Sequence, residues 1–214
     1  MSIDSGAHGI TIHPRPDQRH IRPSDVYELA ELLHQHPAIE LNIEGNPFPE
    51  FMEIVRQVRP SQCTLVPDSP EAVTSDHGWD LRKAHGLESI ISELRRLGVR
   101  VSLFMDPESR DMTFAAAAGA DRVELYTEPY AAAFNTPSVD EVYVRYEDAA
   151  AAAQAVGLGV NAGHDLNLQN LGKFCKIPGI LEVSIGHALI ADALEIGLPN
   201  AVRAYLKAIQ PTAP

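Results

Sequence analysis

Val99-Arg100-Val101-Ser102-Leu103-Phe104-Met105, then Asp106-Pro107, an unbroken stretch to Gly119, and Arg122-Val123-Glu124-Leu125-Tyr126 read as strand, helix, strand. Short apolar, β-branched runs bounded by turn residues are strands, and the longer run between them has helical length. Asp106 followed by Pro107 predicts an N-cap and a proline in the first turn. Gly119 predicts a left-handed stop just before the next strand. The same alternation extends in both directions. Strands are predicted over 9–13, 40–44, 62–66, 99–105, 122–126, 158–162 and 182–185. Helices are predicted near 24–36, 49–58, 81–97, 107–118, 138–156, 168–174, 187–196 and 199–209. Gly98 and Gly157 stop helices as Gly119 does, and Ser138 with Glu141 fits a capping box. The alanine runs at 115–118 and 149–153 read as helix lying close to a sheet, since alanine is the best helix former and keeps the helix surface small.

Repeated strand–helix units give an open doubly wound sheet or a closed barrel. No glycine-rich phosphate loop follows the first strand, which weighs against the open dinucleotide-binding sheet. Several strands are nearly all apolar, as parallel strands buried on both faces are. The expectation is an α/β chain of one domain, residues 1–214, with a (β/α)8 barrel fold. Seven units can be counted, one short of closure.

The bulk numbers bound the chemistry. Seventeen Lys and Arg against 29 Asp and Glu leave a formal charge of −12. Such a surface repels nucleic acid and anionic lipid, so an anionic ligand needs local basic residues. Cys63 and Cys175 stand far apart with no zinc-finger spacing, so neither a disulfide framework nor a structural metal is expected. No apolar run approaches the roughly 20 residues of a membrane span. The first residues lack the basic-then-apolar pattern of a signal peptide, and the expected location is the cytoplasm.

Residues at the C-terminal ends of barrel strands face the active site. Here His13, Glu44, Glu124, His164 and Gly186-His187 fall at or just after five strand ends. Carboxylates and imidazoles converging in a barrel mouth suit general acid–base chemistry. Of the other histidines, His34 and His36 sit at a helix end, and His8, His77 and His85 read as surface or loop residues. Two features point to phosphate. Arg15, Arg19, His20 and Arg22 crowd the loop after the first strand, and Ile185-Gly186-His187 turns into a helix whose free N–H groups can bind an anion. Barrels place such a site after strands seven and eight, which puts the uncounted unit at the N-terminal side.

Taken in order, several blocks resemble the pyridoxine 5'-phosphate synthase family. They are the run from Gly9 to Ile21, Leu41-Asn42-Ile43-Glu44-Gly45-Asn46, Leu65-Val66-Pro67 with the run from Val73 to Asp80, and Val101-Ser102-Leu103-Phe104-Met105-Asp106. Val123-Glu124-Leu125-Tyr126-Thr127, the run from Val160 to Asn167, and Val183-Ser184-Ile185-Gly186-His187-Ala188 complete the set. The resemblance implies a (β/α)8 barrel assembled as a homo-oligomer, an octamer in many members. It implies condensation of 1-deoxy-D-xylulose 5-phosphate with 3-amino-2-oxopropyl phosphate, without metal or organic cofactor. It also implies roles: Glu44 and His13 as proton acceptors, His164 as proton donor, Glu124 as the stabiliser of cationic intermediates. Arg15, His20 and Thr74 would hold the deoxyxylulose phosphate, and Asp165, Gly186 and His187 the aminoketone phosphate. The family's opening strand and helix have no counterpart, since the match is read as beginning near residue 6, which leaves two unpaired strand edges. Two other readings stay open at this point. One is a metal-dependent barrel lyase or isomerase with His13, Glu44, Glu124 and His164 as ligands. The other is a shortened, non-catalytic homologue that binds a phosphorylated ligand.

Overall fold

The computed structural model describes residues 1–210. Seven strands, β1 (Gly9–Ile12), β2 (Glu40–Gly45), β3 (Gln62–Leu65), β4 (Arg100–Met105), β5 (Arg122–Tyr126), β6 (Gly159–Gly163) and β7 (Ile180–Ser184), form one sheet in sequence order. Every neighbouring pair is parallel. Helices α1 (Pro23–His34), α2 (Pro49–Val58), α3 (Leu87–Arg96), α4 (Met112–Ala117), α5 (Glu128–Ala133), α6 (Val139–Ala155), α7 (Leu171–Phe174), α8 (His187–Ile196) and α9 (Leu198–Ala208) connect and follow them. This is the (β/α)8 barrel less one strand. Among the described residues β1 and β7 each have a single neighbour. No helix of the described residues is long and apolar enough to cross a membrane.

The sheet is curled, and side chains prove it. Gln62 on β3 donates to Glu182 Oε1 on β7 at 3.3 Å, and Thr64 on β3 donates to Glu124 Oε2 on β5 at 3.4 Å. Neighbouring strands lie about 4.8 Å apart, so strands two and four places away can touch only across an interior. Period two then sorts the residues. Leu41, Ile43, Cys63, Leu65, Val101, Leu103, Val123, Leu125, Val160 and Ala162 face outward into the main core with the helices. Asn42, Thr64, Ser102, Glu124 and Asn161 face inward, all buried. The expected nearly apolar strands are thus apolar toward the helices and mainly polar toward the lumen, where Phe104 and Tyr126 join Val66 in a small apolar patch.

At the N-terminal end of the barrel this lining becomes a charged plug. Arg122 Nη1 donates to Asn161 Oδ1 at 3.0 Å and to Glu182 Oε2 at 3.1 Å. Arg100 Nε donates to Gln62 Oε1 at 2.9 Å, and its guanidinium pairs with Glu40. Every charge in the plug has a partner of opposite sign, with Glu40 half-exposed at the barrel's end and Arg100, Arg122 and Glu182 partly buried.

The glycine stops hold: Gly98, Gly119 and Gly157 take φ of 81°, 90° and 85°. The alanine runs are packed helix, with Ala115, Ala149, Ala150 and Ala153 buried. Two predicted caps do not form. Asp106 accepts instead from the Gly78 N–H at 3.0 Å, and α4 begins only at Met112, after a 3-10 turn. Ser138 pairs with Thr136 at 2.8 Å, and no side chain caps α6. In both places a tertiary or local partner takes the oxygen the cap needed. The helix predicted from 81 starts at Leu87, because Asp80 engages the Arg82 N–H and the Lys83 ammonium in a turn. The short α5 was not predicted. It carries Tyr130, which packs with Tyr146 and Phe174 in a fully buried aromatic cluster at centroid distances of 5.2–6.0 Å.

Tyr146 also donates its hydroxyl to the Tyr126 carbonyl at 2.7 Å, pinning α6 to the active end of β5. Tyr146→Phe strips that buried carbonyl of this donor. We expect a loss of about 1–2 kcal/mol in urea unfolding with an unchanged m-value; an unchanged midpoint would show the bond contributes nothing.

Candidate active site

His13 follows β1 directly. Burial, then the positive charge of Arg15, lowers its imidazole to about 4, so it is a neutral base at pH 7. Glu44, near the end of β2, moves the other way. Burial, then the negative charges of Glu182 and Asp68, raises it to about 7. Glu124 on β5 is only 3% exposed, and burial followed by the Glu44 charge raises it well above the usual carboxylate range. A chain of side chains links the two carboxyls. Asn42 Nδ2 donates to Glu44 Oε1 at 3.3 Å, Thr64 Oγ1 to Asn42 Oδ1 at 3.1 Å, and Thr64 also reaches Glu124. On β6, the place a Cβ would take at Gly163 is filled by Glu124 Oε1. Only glycine leaves the carboxyl room there.

His164 comes next, at φ 87°, and Asp165 follows at φ 59°. Left-handed backbone at two successive non-glycine residues is strained and persists only when held. Thr127 Oγ1 holds it by donating to the Gly163 carbonyl at 2.7 Å and to the His164 carbonyl, and Asn170 Nδ2 donates to the Asp165 carbonyl at 3.2 Å. The His164 ring is thereby turned edge-on to Tyr126, at 5.2 Å between centroids. Its Nε2 meets Thr74 Oγ1 at 2.9 Å. Its Nδ1 lies 3.1 Å from Asp165 Oδ2 but out of line for a hydrogen bond.

The basic loop after β1 is internally neutralised. Arg15 pairs with Asp68 at 3.1 Å, the two side chains 9% and 5% exposed. Arg19 pairs with Asp17 at 2.8 Å, and Arg22 with Asp25 at 2.9 Å, where the Asp25 carboxylate also accepts from the Arg22 N–H in the first turn of α1. His20 is exposed and has no hydrogen-bond partner among the described residues. A cavity of about 390 Å³ opens between these loops, lined by His13, Arg15, Gly45, Asn46, Phe48 and Asp68 among others. Gly186 caps α8, with Gly186 and His187 exposed beside the free edge of β7. Among the described residues no three His, Cys, Asp or Glu side chains are grouped so as to hold a metal ion.

The family profile described as "Pyridoxal phosphate biosynthesis protein PdxJ" matches residues 1–211. The chain belongs to the PdxJ family. The match begins at residue 1, not near residue 6, and the leading residues are structured: Ile3–Ser5 form a 3-10 turn, with Ile3 against the main core. This PdxJ-family chain is 51% identical over 216 residues to the pyridoxine 5'-phosphate synthase of Albidiferax ferrireducens, covering 98% of the chain and 86% of that protein. It is 53% identical over 213 residues to that of Xanthomonas oryzae pv. oryzae, covering 95% and 83%. Among solved structures, phosphoribosyl anthranilate isomerase of Thermus thermophilus superposes with a TM-score of 0.62 at 15% identity, over 97% of the chain and 90% of its own. At that identity the likeness shows the barrel alone.

Sequence reasoning passed over the PdxJ-family chain's supporting residues: Asn42, Thr64, Asp68, Thr127 and Asn170. Four are amides or hydroxyls rather than acid–base types, and Asp68 lies three residues beyond the end of β3. The available signal was period two, which puts Asn42 and Thr64 on the lumen face with Glu44.

The two tuned groups pull stability in opposite directions. Glu44, raised from 4.5 to about 7, binds its proton more tightly in the folded chain; its contribution is full below about 4.5 and is lost as pH rises through about 7. His13, lowered from 6.5 to about 4, contributes fully above about 6.5 and loses that contribution as pH falls through about 4. Glu44→Gln removes the first effect only. In thermal melts its stability relative to the parent should climb between pH 5 and 7 and then level off. Parallel curves across that range would contradict a raised Glu44.

Proposed function

We propose that the chain is a pyridoxine 5'-phosphate synthase, a transferase of vitamin B6 synthesis. It condenses 1-deoxy-D-xylulose 5-phosphate with 3-amino-2-oxopropyl phosphate to pyridoxine 5'-phosphate, inorganic phosphate and water. What carries the reading is the 51–53% identity to synthases over 95–98% of the chain, together with the family match over residues 1–211, which includes every residue of the barrel mouth. The residue roles below are our proposal.

Joining an amine to a ketone and closing an aromatic ring requires protons to be taken from and given to neighbouring carbons and oxygens. Neutral His13 is an acceptor at physiological pH. Glu44, poised at about 7, accepts a proton with little driving force lost in either direction, the optimum for a general base. Burial and the neighbouring Glu44 charge favour the protonated form of Glu124. A cationic imine formed beside it would lower its pKa, so the stabilising carboxylate arises when the cation does. His164, oriented by the strained turn and by Thr74, serves as proton donor. Arg15, His20 and Thr74 hold the deoxyxylulose phosphate. To do so Arg15 must share its guanidinium between Asp68 and the phosphate, which its fork of donors permits. Asp165, Gly186 and His187 hold the aminoketone phosphate, the first two through backbone N–H groups. The N-terminal turn of α8 supplies further donors; the Asp165 carboxylate opposes the anion and must point away.

We also propose a single domain acting in the cytoplasm as a homo-oligomer with no macromolecular partner but itself. The apolar Leu181, Ile190 and Leu194, exposed along β7 and α8 (Leu194 by 86%), support self-association.

Glu44→Gln keeps shape and hydrogen bonding but removes the base. Its kcat should fall roughly 100-fold or more with KM nearly unchanged, while His20→Ala should chiefly raise KM for the deoxyxylulose phosphate. A nearly active Glu44→Gln would remove Glu44 from the role. Activity should be indifferent to EDTA; loss on chelation and recovery with a divalent ion would favour the metal-dependent barrel reading instead.

A further inference from the structure

Arg19 was grouped with the anion-binding side chains of its loop, and the structure gives it different work. Its Nη1 donates to Asp17 Oδ2 at 2.8 Å, and its Nη2 donates to the carbonyls of Ala72 at 2.8 Å and Val73 at 2.5 Å. Those carbonyls belong to the loop after β3, more than 50 residues away in the chain. Gln18, at φ 56°, makes the turn that brings Arg19 round, its N–H closing on the Arg15 carbonyl at 2.9 Å. Arg15 reaches the same Ala72 carbonyl at 3.2 Å, but Arg19 alone reaches Val73, the residue before Thr74.

The receiving segment has little else to fix it. The Val73 side chain is 83% exposed, so it does not anchor its backbone by burial. On its far side Ser75 donates to Asp68 at 2.8 Å. Between these two ties stands Thr74, whose hydroxyl meets His164 Nε2 at 2.9 Å. A displacement of the 72–73 backbone by an ångström would open that contact, because hydrogen bonds weaken steeply beyond their normal length.

We propose that Arg19 is a positioning residue. It clamps the loop after β1 to the loop after β3 and so holds Thr74 against His164, rather than binding a substrate phosphate itself. Three of its five N–H groups are taken, one by Asp17 and two by the Ala72 and Val73 carbonyls, and the tie to Val73 is one that Arg15 does not make. The guanidinium suits the task because its planar fork serves two or three acceptors at fixed angles, whereas a lysine ammonium is a point donor on a flexible stem. The catalytic meaning of the clamp rests on the synthase reading above; its existence does not.

The test therefore begins without substrate. In the ligand-free full chain, the ring resonances of His164, assigned with His164→Gln, are compared by NMR across Arg19→Ala, Arg19→Lys, Thr74→Val and Arg19→Ala with Thr74→Val. We expect Arg19→Ala to move the His164 signals in the same sense as Thr74→Val, Arg19→Lys to move them less, and the double variant to move them no further than Thr74→Val. Unmoved His164 signals in Arg19→Ala overturn the clamp. Turnover then separates the roles. A clamp lowers kcat by roughly 10-fold in Arg19→Ala, with no additional loss when Thr74→Val is already present. A KM for the deoxyxylulose phosphate raised 10-fold or more, with kcat intact and additive to Thr74→Val, makes Arg19 a phosphate ligand and ends the proposal. Moved signals in a chain with no synthase activity would retain the clamp and reject the synthase reading.

Discussion

The interior of this barrel is polar, and a polar interior without bulk water must satisfy itself. Inward groups on β2 to β7 find partners mainly on other strands, because their own strand's backbone is occupied by the sheet; Asn42 also serves Glu44 on its own strand, and the buried Ser102 hydroxyl has no partner among the described residues. Gln62 and Thr64 on β3 answer this most directly, reaching β5, β6 and β7 across the lumen. Those cross-barrel bonds fix which residues stand in the interior at each level. The charged plug below and the carboxyl pair above are successive floors of the same arrangement.

Function grows from the upper floor because it is the least satisfied. Below, Arg100 and Arg122 neutralise Glu40 and Glu182. Above, the charges of neighbouring carboxylates add to burial in pushing Glu44 and Glu124 upward, and the nearby Arg15 offsets only part of the rise at Glu44. The backbone contributes as well. Gly163 yields space to Glu124, and the strained turn immediately after it aims His164. Two catalytic candidates on different strands are thus placed by one junction.

The sequence disclosed the outward half of the fold well. Apolar runs, glycine stops and alanine stretches are local features, and local physics decided them. Asp106 and Ser138 show where that reading runs out: each is a competent cap residue, but Gly78 and Thr136 offered better-placed partners that are invisible along the chain. The strand-end residues were legible for another reason, since in a parallel barrel chain order and spatial order coincide. His13, Glu44, Glu124 and His164 had to share one mouth once the fold was granted. What spacing could not disclose was the pairing state of each charge. Arg15, Arg19 and Arg22 look alike in the loop, yet one meets a buried aspartate, one reaches a neighbouring loop, and one pairs with an aspartate in the first turn of a helix.

The opposed shifts of His13 and Glu44 reverse the usual custody of a proton. In water between pH 4.5 and 6.5 an imidazole and a carboxyl would stand as cation and anion; here the imidazole is bare and the carboxyl is capped. Over that range the empty mouth holds an acid and a base that are both uncharged. The charges around them belong to Arg15, Asp68 and Glu182. A cation entering beside Glu44 would lower its carboxyl and an anion beside His13 would raise its imidazole, so the charge of what enters decides which of the two gives or takes a proton.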